Sequence, residues 1–202
     1  MTAATKLEIH PAPADRWPDI VKLFGERGAC AGCWCMWARR PAAEFKRGAG
    51  DGNRRALQRL VRNDAQPGLL AYAQGEPVGW VALAPRTEYP RLDNSRVLAP
   101  VDDQPVWSVT CFFIRRDWRG RGLATWMLNR ATTFAASKGA RIIEGYPNDP
   151  DQRAADAFVW TGVASTFESV GFREVARRSA SRPIMRKALR APRPARSRAR
   201  KA

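Results

Sequence analysis

The sequence is poor in the residues on which metal-dependent and histidine-dependent chemistry relies. Its 202 residues include one histidine, His10, and four cysteines. Three of the cysteines, Cys30, Cys33 and Cys35, fall within the segment "CAGCWCMW", and the fourth, Cys111, lies in a run typical of a core strand. A structural zinc site needs four thiolate or imidazole ligands. Because a fourth ligand is not evident, we expect no metal.

Long apolar stretches are also absent. The chain has no run of about 18 apolar residues, which is the length that a membrane-spanning helix requires. Its first residues lack the apolar stretch of a secretory signal peptide. Disulfides are rare in cytosolic proteins. We therefore expect a cytoplasmic protein with no membrane partner and no disulfide.

Acidic residues are scarce relative to basic ones, with 19 Asp and Glu against 35 Lys and Arg and a net charge of +16. Residues 188–202 hold six of the basic residues and no acid, and they show no apolar periodicity. We expect a folded domain over residues 1–187 and a disordered basic tail over 188–202 that contacts nucleic acid only nonspecifically. The rest of the chain has no signature of a nucleic-acid-binding module, and its positive charge would suit a polyanionic small molecule equally well.

The spacing of apolar residues outlines the secondary structure. Helical spacing occurs in "ADRWPDIVKLFGERG" and "GNRRALQRLVRND", and two β-rich runs joined at "QGEP" predict a hairpin. Strands are expected at residues 6–12, 69–73, 78–84, 106–114 and 141–146, a long helix at 123–138, a short helix in "ASTFESVGF", and two closing strands in "FREVARRSASRPIMRK". The run at 106–114 is apolar throughout, which is typical of a strand buried on both faces. The resulting order, β-α-α-β-β-β-α-β-α-β-β, indicates an α/β fold with a mixed sheet and helices on both faces.

A glycine-rich, basic turn precedes the long helix, in "RRDWRGRGLATWMLNRA". The first turn of a helix leaves backbone N–H groups unpaired and carries about half a positive charge. Gly120 and Gly122 lack Cβ atoms, so a phosphate could approach their backbone closely, with Arg119 and Arg121 adding charge. The alternative interpretation is a tight strand-to-helix turn with solvated arginines, which would have the same sequence pattern. The turn is neither a Walker A motif nor a dinucleotide-binding motif.

In this position the sequence resembles a known family. "RGRGLA", Arg119 to Ala124, is similar to the R/Q-x-x-G-x-G/A signature of the GNAT superfamily of acyl-CoA-dependent N-acetyltransferases. The hairpin "GEPVGWVAL" and the segment "STFESVGFREVAR" also resemble parts of that family, and the resemblance extends over about residues 7–187. It implies a mixed, mostly antiparallel central sheet flanked by helices.

The resemblance also implies a co-substrate and its binding residues. Acetyl-CoA would donate an acetyl group to a primary amine. Backbone groups of Phe112, Phe113 and Ile114 would pair with the pantetheine arm and hold the thioester. The pyrophosphate would bind the amides of the following residues: Arg119, Gly120, Arg121, Gly122, Leu123 and Ala124.

The sequence departs from the family where a general acid is expected. Many members place a tyrosine in the C-terminal segment, but the matching residue here is Phe167, which has no proton to donate. Tyr146 is a candidate acid. Glu144 is a candidate base, because burial in a strand would raise its pKa towards a useful range, although a neighbouring arginine could instead satisfy its carboxylate.

The acceptor is expected to contact tryptophans in the variable segments, namely Trp34, Trp37 and Trp160. Aromatic rings can stack on aromatic or cationic ligands, so such a pocket suits a small-molecule amine. Two alternatives stay open, a catalytically silent acyl-CoA sensor and a basic nucleic-acid-associated binding module on a GNAT-like fold. The sequence does not fix the oligomeric state, and a homodimer is one of the states that it allows.

Overall fold

The computed structural model describes residues 6–149 and 160–190. Within these ranges seven strands form one sheet. In chain order they are β1 (Leu7–Pro11), β2 (Gly68–Ala73), β3 (Glu76–Pro85), β4 (Trp107–Ile114), β5 (Ile142–Gly145), β6 (Arg173–Arg177) and β7 (Pro183–Ala188). The greater part of the predicted basic tail, residues 191–202, lies outside the described residues.

The sheet is mixed and mostly antiparallel, which confirms the expected fold class. Its strand order is β1-β2-β3-β4-β5-β7-β6. Neighbouring strands run antiparallel except β4 and β5, which are parallel. β4 and β5 are parallel because the chain between them crosses back along a helix, Leu123–Ser137, before it enters the sheet again.

Helices cover both faces of the sheet. They are α1 (Trp17–Phe24), α2 (Ala42–Arg47), α3 (Asp51–Arg62), α4 (Pro90–Asp93), α5 (Leu123–Ser137) and α6 (Ala164–Ser169). On one face α5 and α6 pack against the sheet through residues such as Leu128 and Phe167, and on the other α1 and α3 pack through residues such as Ile20 and Leu57. No helix of the described ranges has both the length and the apolar character needed to cross a membrane.

The parallel neighbours β4 and β5 separate after a short contact. Their pairing begins at Trp107 with Ile143 and ends at Val109 with Gly145. On the other side of β4 the register with β3 shifts by one residue, which makes Thr110 the extra residue of a β-bulge. A bulge bends its strand and increases the local twist, so β4 diverges from β5 beyond this point and a fork opens in the sheet.

The polar loop at residues 87–105 is held down by arginines rather than being free. Arg86 donates to the carbonyl oxygen of Leu98 at 2.7 Å, and Arg178 donates to the carbonyl oxygen of Pro100 at 3.0 Å. Arg186 donates to the carboxylate of Asp102 at 2.7 Å. These contacts hold the loop against β7 and against the residues that follow β3 and β6.

The packing of Gly145 at the fork predicts a stability effect. A Cβ at this position would lie 2.1 Å from Cε1 of Phe167, too close for the ring to stay in place. We expect Gly145→Ala to lower the free energy of unfolding by about 1–3 kcal/mol, the usual cost of overpacking a core. Urea denaturation of the purified protein measures this loss.

Gly52→Ala is the matched control, because a Cβ at Gly52 meets no atom within 4 Å and alanine favours a helix such as α3. We expect this variant to be at least as stable as the wild type. Equal stability of the two variants would show that α6 does not depend on contact with Gly145.

Candidate functional site

A cleft of about 650 Å³ lies where β4, the start of α5 and the segment before α6 meet. Eight of the nine residues predicted to contact CoA border it, namely Phe112, Phe113, Ile114, Arg119, Gly120, Gly122, Leu123 and Ala124. Arg121 does not border it; its guanidinium lies 5.1 Å from the centre of the Trp118 ring. The structure thus brings together two segments, the edge of β4 and the glycine turn, that the sequence predicted separately.

The glycine turn has the geometry of an anion cradle. Gly120 and Gly122 have φ of +71° and +74°, and a Cβ at either position would face open space. Gly122 is the N-cap of α5 and provides no side-chain cap for the first turn of this 15-residue helix. The backbone N–H groups of that turn therefore lack the usual side-chain partner. An anion placed here would meet N–H donors and the positive end of the helix dipole.

Arginines around the cradle differ in their roles. Arg119 donates through Nε to the carbonyl oxygen of Ile114 at 3.2 Å, which ties the turn back to the end of β4. Arg115 forms two contacts to the Asp117 carboxylate, at 2.7 and 2.8 Å, so its charge is largely balanced. The positive character of the cradle therefore rests on the backbone of α5 as well as on side chains.

The fork edge of β4 already has a partner from the protein itself. The backbone N–H of Phe112 donates to the carbonyl oxygen of Trp160 at 2.6 Å. This contact occupies the side of β4 that β5 has left. Trp160, Gly162, Val163 and Thr166 border the same cleft, and of these four only Trp160 was expected in the acceptor pocket. The sequence signal for them is weak, since "WTGVAST" carries only a turn glycine.

The candidate base Glu144 lies in a buried ion-pair network. Its Oε1 accepts from Nη1 of Arg86 at 2.8 Å, and its Oε2 accepts from Nε of Arg186 at 2.6 Å. The side chain of Glu144 is 1% exposed and those of both arginines are 10% exposed. With both oxygens engaged by guanidinium groups, the carboxylate has structural partners on each side.

Tyr146 belongs to the same network. Its hydroxyl donates to Oε1 of Glu144 at 2.5 Å, receives a hydrogen bond from Arg86 at 2.6 Å and lies 2.8 Å from Oγ of Ser108. Burial and the adjacent carboxylate raise the pKa of Tyr146 well above its usual value, so the phenol keeps its proton. Neither Tyr146 nor Glu144 borders the cleft, and their catalytic roles stay predictions.

The three predicted pocket tryptophans separate into two groups. Trp34 is 1% exposed, its ring is stacked 5.9 Å from that of Trp17, and it packs in the core beneath α1. Trp37 and Trp160 contact each other, with ring centres 5.0 Å apart. Because Trp160 also borders the cleft, the pair joins the cleft to the face of the sheet on which Trp37 lies.

The cysteine loop folds onto β4. The Sγ atoms of Cys35 and Cys111 are 3.4 Å apart, and all four thiols are free. Burial raises the pKa of Cys33 to about 12, so this thiol stays protonated at neutral pH. Among the described residues no group of three or more His, Cys, Asp or Glu side chains is arranged to hold a metal ion.

Comparison with known proteins identifies relatives of both sequence and fold. A family model described as the acetyltransferase (GNAT) family matches residues 30–159. An uncharacterised N-acetyltransferase of Methanocaldococcus jannaschii is 27% identical over 85 residues, which are 42% of this chain and 33% of that protein. The match thus spans about a third of the length of this curated relative.

Solved structures share the fold at low identity. The PaiA N-acetyltransferase of Thermoplasma acidophilum, solved in complex with coenzyme A, has a TM-score of 0.52 and 13% identity, over 91% of this chain and 99% of that one. A GNAT-family acetyltransferase of Listeria monocytogenes has a TM-score of 0.57 and 10% identity, over 94% and 98%. These likenesses support the same sheet and helix arrangement.

The Glu144 network predicts a large stability effect. Removing one partner of a buried ion pair leaves an uncompensated charge, which typically costs 3–5 kcal/mol. We expect Glu144→Gln to lower the free energy of unfolding by about this amount, because Arg86 and Arg186 would both lose a buried carboxylate. Asp102→Asn is the control, since Asp102 is an exposed partner of Arg186, and it should change stability far less. Equal effects in chemical denaturation would contradict a structural role for Glu144.

Proposed function

The chain belongs to the GNAT family of acetyltransferases, and from this premise we propose that it uses acetyl-CoA to acetylate a primary amine. The acceptor is a small molecule, and its amine attacks the thioester directly. The observation that carries this proposal is the uncapped start of α5, where Gly120 and Gly122 open the backbone towards the cleft. The proposal includes a cytoplasmic domain over residues 1–187 and a basic tail over 188–202.

The described residues fit the parts of a CoA molecule. The amides from Arg119 to Ala124 would hold the pyrophosphate, because the glycines admit it to the backbone and the helix dipole favours its charge. The backbone of Phe113 and Ile114 would lie along the pantetheine arm. Phe112 is proposed for the same role, and its N–H must then release the carbonyl oxygen of Trp160. The co-substrate supplies the activated acetyl thioester.

The residues around the cleft support attack without a dedicated side-chain acid. Phe167 is fully buried between Phe112 and Phe172 and supplies core packing only. No carboxylate, imidazole or phenol is among the described residues that border the cleft. The protein would therefore act by holding the thioester and orienting a neutral amine, which can supply a large part of a rate enhancement, and a thiolate is a tolerable leaving group.

The aromatic side chains next to the cleft support a small amine as the acceptor. Trp37 and Trp160 form an edge-to-face pair, and the guanidinium of Arg91 lies 4.4 Å from the centre of the Trp37 ring. Aromatic faces of this kind bind apolar and cationic groups of limited size. An amphipathic amine would contact this pair while its nitrogen reaches the thioester.

Release of free thiol from acetyl-CoA tests the reaction. We expect turnover with at least one member of a panel of small primary amines, and an acetylated product by mass spectrometry. The protein should also gain thermal stability in the presence of CoA, because a ligand that binds only the folded state stabilises it. Stabilisation by CoA with no thiol release from any amine would instead support the silent acyl-CoA sensor.

The cradle predicts a specific loss of CoA binding. Gly122→Glu places a carboxylate where the pyrophosphate would lie, so we expect CoA affinity to fall at least a hundredfold, an effect of about 3 kcal/mol or more. Isothermal titration with CoA measures the change.

Gly139→Glu controls for backbone strain, because Gly139 also has a positive φ, +86°, and open space at Cβ, but lies just beyond the other end of α5. Both variants should lose similar stability, since a left-handed conformation costs non-glycine residues about 1–2 kcal/mol. Full CoA affinity in folded Gly122→Glu would overturn the assignment of the cradle.

A further inference from the structure

We infer that Arg182 binds a carboxylate of the acceptor, so that the substrate is an amine carrying a carboxylate group, as in an amino acid. This inference rests on the proposed acetyltransferase function and narrows its substrate class. It is carried by a half-buried guanidinium near the fork that has no acidic partner among the described residues and is linked by hydrogen bonds to a residue that borders the cleft.

Arg182 is a half-buried arginine whose side chain has no carboxylate partner among the described residues. Arg39 pairs with Glu88, while Arg86 and Arg186 pair with Glu144. Within the described ranges, the side chain of Arg182 donates one hydrogen bond, from Nη1 to Oδ1 of Asn148 at 3.1 Å. Its Nε is buried and has no partner there.

The charge of Arg182 is therefore uncompensated. Burial lowers the pKa of the Arg182 guanidinium and no nearby charge opposes the shift. A guanidinium nevertheless stays protonated at neutral pH, so a positive charge persists in a half-buried position. An anion that bound here would gain a strong interaction, because few water contacts would have to be removed from the cation.

Arg182 does not line the cleft itself, but hydrogen bonds connect it to the cleft wall. It immediately precedes β7, opposite Asn148, which follows the end of β5. The N–H of Asn148 donates to the carbonyl oxygen of Gly162 at 2.8 Å, and Gly162 borders the cleft with Trp160. Two hydrogen bonds thus connect the guanidinium to the wall of the proposed CoA site.

Arg182 also faces the side of the sheet on which the acceptor is expected. Side chains alternate along a strand, so Arg182 shares a face with Ile184. Ile184 belongs to a cluster with Tyr146, and Trp37 packs against that cluster. The opposite face carries α5. The acceptor would therefore approach from the Trp37 side, away from the helix whose first turn forms the anion cradle.

Other buried polar atoms without a partner in the described part of the chain occur in the segments connected to Arg182. Among the described residues, four buried side-chain polar atoms lack a partner: Trp80 Nε1, Thr161 Oγ1, Ser179 Oγ and Arg182 Nε. Three of them belong to the two segments that meet at Asn148 and Asp149, because Asn148 contacts Gly162 and the N–H of Asp149 donates to the carbonyl oxygen of Ser181. Each of the three can donate a hydrogen bond. Unpaired buried polar groups are rare in native proteins, and a set of donors matches an acceptor-only ligand.

A carboxylate is the anion that this arrangement fits best. A guanidinium presents parallel N–H groups that match the two oxygens of a carboxylate, and one positive charge balances one carboxylate. Hydroxyl donors such as those of Thr161 and Ser179 can bind its remaining lone pairs. The amine of the same molecule would then extend past Trp160 towards the thioester.

Matched amine pairs test the inference in the full-length protein. Tryptophan with tryptamine, phenylalanine with phenethylamine, and lysine with cadaverine each differ by one carboxylate. We expect wild-type protein to have a lower KM for the carboxylated member of at least one pair. Arg182→Met should raise that KM about ten- to a hundredfold, since a hydrogen bond to a charged group is worth about 1.5–3 kcal/mol. Its KM for the decarboxylated member, its kcat and its CoA affinity should not change.

Stability separates a binding role from a structural one. Because Arg182 has no ion-pair partner, Arg182→Met should not lower the melting temperature, and removal of an unpaired buried charge can raise it. Arg182→Lys should show an intermediate KM, since it keeps the charge but loses the two-pronged geometry. Arg173→Met is the matched control, because Arg173 is an exposed arginine on β6, and we expect it to behave as the wild type.

The outcomes distinguish this inference from the proposed function. Turnover of decarboxylated amines with equal or lower KM would leave the acetyltransferase proposal standing and overturn the carboxylate inference alone. A drop in melting temperature of Arg182→Met with equal losses for both amine classes would also overturn it, in favour of a structural arginine. Absence of turnover with every amine would reject the proposed function, and the inference with it.

Discussion

The separation of β4 from β5 is the constraint on which the rest of the structure depends. The two strands are parallel neighbours for three residue pairs, and a bulge at Thr110 then turns β4 away. A sheet that opens in this way exposes backbone groups that must find other partners. The carbonyl oxygen of Trp160 supplies one such partner for Phe112, and the cleft follows the rest of the opening towards the first turn of α5.

The closed end of the fork is fixed by charge as well as by apolar packing. Glu144 joins Arg86, at the end of β3, to Arg186 on β7, and Tyr146 adds Ser108 of β4. An apolar cluster of similar volume would often be as stable as a buried ion-pair network. A network, however, imposes directional contacts, and here these contacts also reach the 87–105 loop through Leu98 and Asp102. We interpret the Glu144 network as the set of contacts that fixes how far β4 and β5 diverge.

Local interactions decided which features could be predicted from the sequence. The strand, glycine turn and helix around Gly122 are encoded by neighbouring residues. The same is true of the other strands and of the long helices, so local patterns predicted them. The partners of Glu144 are 58 and 42 positions away in the chain, so local patterns could not identify them. Trp34 and Trp37 lie in the same short segment, and the sequence alone does not distinguish their positions in the fold. Trp34 has a φ of +45°, a conformation that is uncommon outside glycine and that sequence spacing does not encode. The ring of Trp34 lies in the core, which the spacing of the tryptophans did not predict.

Several features that destabilise the folded state lie around the cleft. The helix that begins at Leu123 has no side-chain cap, Ala29 beside the cleft has a φ of +68°, and Arg182 keeps a half-buried charge with no acidic partner among the described residues. Each of these features costs folding free energy and could be removed by a simple substitution. Natural sequences tend to keep such violations where a ligand compensates for them. An anion at the start of α5 and a second anion at Arg182 would compensate for two of them, from opposite faces of the sheet. That arrangement suits an enzyme that must bring two charged molecules together at one point between diverging strands.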